Sequence, residues 1–295
     1  MSHRSVLLKE VLEYLDPHVG DFIIDGTIDG GGHARAILEK ILPSGKLLGV
    51  DLDPSMVASG KWKMVNGKSL VLVHGNYADL PKILSQEKMP LADGLLLDLG
   101  FSSEQLVTSG RGFSFSEATK DEPLLMTYDD SREPVRDILR RLSEEKLANI
   151  IYELGGERRS RQIAKAIKDH GRRKPIMTVG EFAEVIRGAL PKTYEHGRID
   201  SATRTFQALR IYANGELENL KNILQDIGAV IAPNGRVAII TFHSLEDRIV
   251  KLAFQTMAKE KTAELLTKKP ISASREEIKE NPRARSAKLR AIKLS

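Results

Sequence analysis

The chain has 295 residues, a length that fits one large domain or two modest ones. Hydrophobic residues make up 41 % of it, enough for a substantial core. It contains no cysteine, which excludes a disulfide scaffold, thiolate zinc, an iron–sulfur cluster and a cysteine nucleophile. No apolar run approaches the ~20 residues of a membrane span, and the first residues lack the apolar stretch of a signal peptide. Composition therefore predicts a soluble, cytoplasmic protein with no membrane partner.

The net charge of +5 is unevenly distributed along the chain. Residues 155–204 carry 12 Lys and Arg against 6 Asp and Glu, and residues 259–295 carry 11 against 5. Two basic segments of this kind suit a polyanion such as RNA. Solvated helix faces explain such runs equally well, so charge alone leaves both interpretations open.

The first hundred residues alternate between short apolar runs and helical patterns. The runs cover residues 22–25, 47–51, 70–73 and 93–98, and three of the four end in Asp. Continuous apolar strands separated by helices indicate a parallel sheet covered on both faces. Ligands of such sheets bind outside the carboxyl ends of the strands, where these aspartates are expected to lie.

Residues 113–204 show helical periodicity without a strand pattern. One helix is predicted over residues 143–154, whose apolar side chains share one face. A second is predicted to begin at Thr178, with Glu181 as its capping-box partner. This part of the chain is therefore predicted to be helical.

The sheet pattern resumes beyond residue 204. The elements predicted there are a helix over residues 216–231, a strand over residues 236–242, a helix that Ser244 opens with Asp247 as its capping partner, and a final edge strand over residues 288–294. The economical interpretation is a discontinuous α/β domain, residues 1–110 and 205–295, interrupted by an all-helical insert, residues 111–204.

A glycine-rich turn follows the first predicted strand and leads into a helix. From Asp25 it reads DGTIDGGGHAR, in which the glycines allow a ligand to approach closely and the helix start offers free N–H donors. Asp51, at the end of the second strand, is placed to hold ribose hydroxyls. Dinucleotides and S-adenosylmethionine both bind such turns. Asp25 and Asp29 would repel a pyrophosphate and suit an ammonium and a sulfonium, which favours S-adenosylmethionine over NAD.

Longer motifs carry a resemblance to a known family. They are DGTIDGGGH, DLDP, HGNYADL, LLLDLGFSSEQL, GRGFSF, SATRTFQALRIYANGELENL, TFHSLEDRIVK and NPRARSAKLR. Together they resemble the RsmH (MraW) family over nearly the whole chain. The resemblance implies a Rossmann-like class I methyltransferase domain with a helical insert that serves as a substrate-binding domain. It also implies S-adenosylmethionine as cofactor and, as substrate, N4 of a cytidine in the decoding centre of 16S rRNA of the small ribosomal subunit.

The resemblance also assigns cofactor-binding residues. By matching motifs these are Gly31, Gly32, His33, Asp51, Tyr77, Asp98 and Gln105. Tyr77 follows the third strand and has a flat face for a purine, although an ordinary half-buried loop tyrosine would look the same. His33 opens a helix, so capping is its alternative role, and Gln105 carries no signal of its own.

Two segments depart from the family pattern. PLLMTYD, at residues 123–129, stands where the family has PLDMRMD, so this loop lacks the family's Asp and Arg. Ile28 and Asp29 stand in the glycine-rich turn where an aromatic–Gly pair is common. These departures weaken a substrate-binding role for the loop and leave the shape of the turn open.

Asp98 is the catalytic candidate. Methyl transfer is an in-line displacement, so positioning supplies much of the catalysis. Cytosine N4 is a poor nucleophile because its lone pair is delocalised, and an acceptor beside it would favour a more pyramidal nitrogen and receive a proton. Asp98-Leu99-Gly100-Phe101 stands where other amino-methyltransferases have an Asp/Asn-Pro-Pro-aromatic loop. We hypothesise that Asp98 lies between cofactor and acceptor, with loop carbonyls holding the amino group.

RNA is expected to bind through the basic parts of the insert and of the C-terminal segment. The candidates are Arg158, Arg159, Arg161, Arg172, Arg173 and Lys174 in the insert, and Arg283, Arg285 and Arg290 in the C-terminal segment. Arginine suits phosphates and base stacking, and the target base has to be unstacked to reach the cofactor. Taken singly, each side chain fits a solvated or salt-bridged position at least as well.

Other function classes remain as alternatives. The acidic first turn opposes an NAD-dependent oxidoreductase, and the full-length resemblance opposes a methyltransferase of DNA or of a small molecule. A non-catalytic RNA-binding or assembly protein has no need of a cofactor pocket. The seven histidines show no paired ligand spacing, so no metal is expected. The segment HSLEDR, residues 243–248, either closes the site beside the fifth strand or simply caps a helix.

Overall fold

The chain forms two compact units. The computed structural model describes residues 5–58, 69–100, 109–191, 193–194 and 200–295. The first unit, called the sheet unit here, comprises Met1–Ser102 and Leu217–Ser295, and the second, the helical unit, comprises Ser103–Glu216. Among the described helices, none is both long and apolar enough to cross a membrane.

The sheet unit is built on one eight-stranded sheet. Its strands are β1 Phe22–Asp25, β2 Lys46–Asp51, β3 Leu70–His74, β4 Ala92–Asp98, β5 Ile231–Thr241, β6 Ala263–Leu265, β7 Ile271–Ser272 and β8 Lys288–Leu294. Their spatial order is β3-β2-β1-β4-β5-β8-β6, and β7 pairs with β8 off this path. Strands β1 to β5 pair in parallel, whereas β8 is antiparallel to β5, β6 and β7. The predicted α/β fold with a parallel sheet is confirmed.

Helices lie along the chain between and beyond these strands. In chain order they are α1 Leu8–Leu15, α2 Gly32–Ile41, α3 Pro54–Ala58, α4 Leu80–Gln86, α5 Val135–Arg141, α6 Glu144–Gly155, α7 Ser160–Arg173, α8 Val179–Gly188, α9 Thr203–Asn214, α10 Glu216–Gln225, α11 Ser244–Lys259 and α12 Arg275–Glu280. Helices α5 to α9 belong to the helical unit.

Both faces of the sheet are buried, which explains the continuous apolar runs. Along β1, Phe22 and Ile24 join one core cluster together with side chains of α4, α10 and α11. Ile23, between them, joins a second cluster with side chains of α1 and α2. Because successive residues of a strand point to opposite faces, a strand covered on both sides needs apolar residues at every position.

The second half of the sheet corrects two predictions. The helix predicted over residues 216–231 ends at Gln225. Strand β5 begins earlier than predicted, at Ile231, because Ile231 already pairs with Ala92 of β4. The register of this pairing shifts between Ala92 and Gly94. The turn-like Pro-Asn-Gly at residues 233–235 therefore lies within the strand. The prediction that β8 is an edge strand is also wrong, since the short strand β6 pairs along its outer side.

The helical unit has its own core. Its buried side chains come from α5 to α9 and from the segment that precedes α5. Thr178 and Glu181 form the predicted capping box at the start of α8. The unit ends at Glu216, beyond the expected domain boundary at residue 204, because α9 packs against α6: Gly155 of α6 lies against the backbone of Arg204.

The loop that departs from the family pattern is held inside the helical unit. Asn214 donates its side-chain N–H to the carbonyl oxygen of Met126 at 2.8 Å and accepts the N–H of Tyr128 at 3.1 Å. Thr127 is buried, and Arg111 donates to its hydroxyl at 2.8 Å. These bonds give Thr127 and Tyr128, which differ from the family pattern, a structural role within the helical unit.

Candidate functional site

Three aspartates meet at one edge of the sheet. Asp25, Asp51 and Asp98 are the last residues of β1, β2 and β4, and β1 lies between the other two strands. Asp25 is almost fully buried, and burial together with the neighbouring carboxylates raises its pKa well above the usual value. The sheet edge therefore concentrates acidic groups where they are poorly solvated.

The glycine-rich turn is bonded to the strands on both sides of β1. Gly26 donates its N–H to the carbonyl oxygen of Leu96 at 2.9 Å, and Ile28 donates to that of Val50 at 3.0 Å. The Ile28 side chain is buried over Gly49, where an added methyl would lie 2.0 Å from its Cδ1. Ile28 thus fills the space above β2 and sets the shape of the turn.

Asp51 is held rigidly by backbone donors. Its Oδ1 accepts the N–H of Asp53 and its Oδ2 accepts the N–H of Asp29, each at 2.9 Å. Burial raises the pKa of Asp51 to about 7, and the two backbone bonds partly oppose this rise. The carboxylate is therefore oriented in advance, as a ribose-binding group needs to be.

Asp98 is positioned by residues of the glycine-rich turn and of the helix that follows it. Its N–H donates to Oγ1 of Thr27 at 2.7 Å, and its Oδ2 lies 3.6 Å from Nδ1 of His33. Its Oδ1 is buried and has no hydrogen-bond partner among the described residues. Burial raises the pKa of Asp98 to about 7, and the charge of Glu246 adds to the rise.

The tautomer of His33 follows from its surroundings. Nε2 lies 2.9 Å from the carbonyl oxygen of Val6, which can only accept, so Nε2 carries the proton. Burial lowers the pKa of His33 to about 4, so the ring is neutral near pH 7 and Nδ1 is an acceptor. Asp98 therefore faces His33 favourably when its carboxyl group is protonated.

The remaining predicted cofactor residues lie around this edge, with one exception. Gly31, in the left-handed region at φ 75°, is the N-cap residue of α2, and Gly32 is its first residue. Tyr77 is half-buried beside Gly26, whose added methyl would lie 3.2 Å from the tyrosine Cβ. Gln105 lies outside the described residues.

The end of β5 adds Phe242, which the sequence analysis did not single out, and changes the roles expected within the HSLEDR segment, which it did. The ring of Phe242 packs against Gly100, where an added methyl would lie 2.7 Å from its Cε2. His243, not the predicted Ser244, is the N-cap of α11, and Glu246 is its capping-box partner. The carboxylate of Glu246 also accepts the N–H of Phe242 at 2.8 Å. A histidine cap lies outside the usual Ser/Thr/Asp/Asn pattern, which explains the error.

Asp247 has a different role from the predicted one. Its Oδ1 accepts a hydrogen bond from Nε of Arg290 at 2.7 Å, and its Oδ2 lies 3.3 Å from Nζ of Lys288. These ion pairs lower the pKa of Asp247 against the effect of its burial. Asp247 thus ties α11 to β8 instead of capping its own helix.

The arginines chosen for RNA binding fall into two groups. Exposed side chains are those of Arg158, Arg159, Arg161, Arg172, Arg173 and Lys174 in the helical unit and of Arg283 and Arg285 in the sheet unit. Arg290 is the exception, because it is only 7 % exposed and bonds to Asp247. We therefore remove Arg290 from the set of RNA-binding candidates.

Comparisons with known proteins identify the family. The model of the MraW methylase family matches residues 1–295. The chain is 44 % identical to ribosomal RNA small subunit methyltransferase H of Syntrophotalea carbinolica, over 99 % of this chain and 97 % of that protein. It is also 44 % identical to the protein of the same name from Deinococcus deserti, over 98 % and 92 % of the two chains.

Solved structures of methyltransferases resemble the chain more remotely. An rRNA methylase of Streptococcus thermophilus gives a TM-score of 0.39 at 7 % identity, over 97 % of this chain and 93 % of that one. Fibrillarin of Aeropyrum pernix, solved with bound S-adenosyl-L-methionine, gives 0.41 at 9 %, over 93 % and 67 %. The full-length family match decides the assignment: the chain belongs to the MraW methylase family and is an S-adenosylmethionine-dependent methyltransferase, as the sequence predicted.

Proposed function

We propose that this chain transfers a methyl group from S-adenosylmethionine to N4 of a cytidine in the decoding centre of 16S rRNA. The relatives at 44 % identity are named as methyltransferases of small-subunit ribosomal RNA, which supports the class of substrate. The observation that carries the chemistry is Asp98, a buried carboxyl group with one oxygen left without a described partner at the end of β4. An rRNA substrate also supports a cytoplasmic site of action.

The residues at the sheet edge fit S-adenosylmethionine. Asp51 is preset to accept hydrogen bonds from ribose hydroxyls, since backbone donors already fix its orientation. The carboxyl groups of Asp25, Asp29 and Asp98 suit a sulfonium and an ammonium group, because a bound cation would favour their ionised forms. Gly31 and Gly32 leave the backbone at the start of α2 open to close approach. When bound, the cofactor supplies an electrophilic methyl group.

Asp98 is proposed to hold and then deprotonate the acceptor amine. As the new N–C bond forms and the S–C bond breaks, the exocyclic nitrogen has to lose one proton. Oδ1, which has no hydrogen-bond partner among the described residues, can accept a hydrogen bond from the amino group, which favours the lone-pair geometry needed for attack. A pKa of about 7 makes Asp98 a suitable proton acceptor near neutral pH.

His33 and Thr27 act as positioning residues in this proposal. Thr27 fixes the backbone of Asp98, and the neutral ring of His33 lies on its other carboxyl oxygen. Nδ1 of His33 is an acceptor, so it lies favourably beside a protonated Asp98, although 3.6 Å is too long for a hydrogen bond. Both residues therefore support the same proton-accepting role without touching the substrate.

The helical unit is proposed to be the substrate-binding domain. Its exposed candidates, from Arg158 to Lys174, provide positive charge and planar guanidinium groups suited to phosphates and unstacked bases. Arg283 and Arg285 are exposed cations of the sheet unit and are proposed to contact phosphates there. Phosphate contacts of this kind predict RNA affinity that falls steeply with salt.

A transfer assay with competing acceptors tests the substrate class. Radiolabelled S-adenosylmethionine is incubated with the protein and with 30S subunits, free 16S rRNA or duplex DNA. Label in 30S subunits or 16S rRNA, but not in DNA, is the expected result. Asp98→Asn is the matched variant: loss of transfer with retained cofactor affinity supports its role, and full turnover would refute it.

A further inference from the structure

A cavity of about 250 Å³ lies in the helical unit between α5 and α7. Its buried lining is apolar and includes Leu139, Ile167 and Ile176. The cations that line it are Arg136, Arg140, Lys168 and Arg172, of which the sequence reasoning named only the last. The cavity thus combines an apolar interior with a positively charged mouth.

The positive charge around this cavity is incompletely neutralised by its neighbours. Asp137 lies 3.8 Å from Nε of Arg136 and 3.7 Å from Nη1 of Arg140, distances too long for hydrogen bonds. Asp169 pairs with Arg172 at 2.8 Å. Among the described residues, the four lining cations therefore have three carboxylates nearby, those of Asp137, Asp169 and Glu144, and the side chain of Arg140 remains 64 % exposed.

Lys168 adds a partly buried cation to the lining of the cavity. Its Nζ donates to the carbonyl oxygen of Leu139 at 2.8 Å and to that of Arg140 at 3.3 Å, at the end of α5. Burial and the charge of Arg172 lower the pKa of Lys168, and Glu144 only partly opposes them. Two cations are thus held together in a site where an anion would relieve their repulsion.

We propose that this cavity binds a nucleotide from an unpaired segment of the substrate RNA. The phosphate contacts Arg140, Lys168 and Arg172, and the attached sugar or base covers the apolar lining. Unpaired segments expose single nucleotides that a pocket can hold, whereas a base-paired helix presents only its backbone and grooves. An acidic protein side chain would use the cations but not the apolar interior. This inference rests on the proposed RNA substrate.

The test compares two double variants that each remove two positive charges from the helical unit. The cavity variant, Arg140→Gln/Arg172→Gln, removes two cations that line the cavity. The control variant, Lys146→Gln/Lys165→Gln, removes two exposed lysines that do not line it. Binding to a single-stranded uridine oligonucleotide is measured by fluorescence anisotropy at several salt concentrations. The cavity variant is expected to bind at least about tenfold more weakly, because tenfold is the effect of losing a single charge-assisted hydrogen bond. Its plot of log K against log salt should be shallower by about 1 to 2.

Lys168 supplies a second readout that a general loss of charge would not produce. The pKa of its ammonium, followed by NMR, is expected to rise when the oligonucleotide is added to the wild type. No such rise should occur in the cavity variant. Unchanged S-adenosylmethionine affinity in both variants shows that the sheet unit is intact.

Several outcomes would overturn the inference. If both double variants lose the same affinity for the oligonucleotide, the loss reflects the overall charge of the helical unit and not the cavity. If the cavity variant loses affinity for inorganic phosphate but keeps its affinity for RNA, the cavity is a site for free phosphate. Polyglutamate that loses affinity as strongly as RNA would identify an acidic protein partner. Absence of methyl transfer to rRNA by the wild type would contradict the proposed function instead. The binding measurements on the two double variants do not depend on that result.

Discussion

Replacing Asp98 with asparagine is expected to stabilise the cofactor-free protein at alkaline pH. A rise in pKa from the usual 3.8 to about 7 corresponds to up to ~4 kcal/mol of unfolding free energy at pH 8. Because the pKa of Asp98 is raised on folding, the folded state holds a buried negative charge above pH 7. The free energy of unfolding therefore increases as the pH falls and the carboxyl group is protonated. Lowering the pH from 8 to 6 should therefore recover roughly 1.4 kcal/mol of this penalty.

Urea denaturation of the cofactor-free protein at pH 8, 7 and 6 measures this effect. Asp98→Asn should unfold at a higher urea concentration than the wild type at pH 8, with a difference that shrinks toward pH 6. Glu39→Gln, which removes one exposed carboxylate from α2, is the control and should show no such trend. A variant less stable than the wild type at pH 8, or a difference independent of pH, would refute the reasoning.

Three further substitutions test individual parts of the structure. Asp51→Ala should weaken S-adenosylmethionine binding by about 1.5–3 kcal/mol, roughly 10- to 150-fold in calorimetric Kd, because a charged acceptor is lost. Gly49→Ala should lower the free energy of unfolding by about 1–3 kcal/mol, since the added methyl would lie 2.0 Å from Cδ1 of Ile28. Arg290→Gln should lower it by about 1–3 kcal/mol, because Asp247 loses its closest partner and keeps the longer contact with Lys288, and RNA affinity should be unchanged.

Each of these expectations has a direct contradiction. Unchanged cofactor affinity in the Asp51 variant would remove that residue from the site. Wild-type stability in the Gly49 variant would show that Ile28 can move aside. If Arg290→Gln lowers the affinity for RNA without lowering the free energy of unfolding, Arg290 contacts RNA.

Much of the sheet and its acidic edge could be predicted from the sequence. The apolar runs that end in Asp25, Asp51 and Asp98 became parallel strands, because a strand buried on both faces has a distinctive continuous pattern. The capping box of Thr178 and Glu181 was also readable, since its residue types and spacing are local. Both signals are readable because the pattern that identifies each of them lies within a few consecutive residues.

Features that depend on distant contacts could not be predicted. The position of β8 inside the sheet requires β6, a three-residue strand with no pattern of its own. Arg290 looked like an RNA contact because its pairing with Asp247 joins residues 43 positions apart. The cavity between α5 and α7 likewise collects Arg136, Arg140 and Lys168 from two separate helices. No local pattern distinguishes them from solvated surface cations.

Identification of the methylated nucleoside tests the central claim most directly. The protein is incubated with unmodified 30S subunits and S-adenosylmethionine, the 16S rRNA is digested to nucleosides, and the products are separated by liquid chromatography with mass spectrometry. The expected product is N4-methylcytidine. A methyl group on carbon 5 of cytidine, on a ribose hydroxyl or on another base would contradict it.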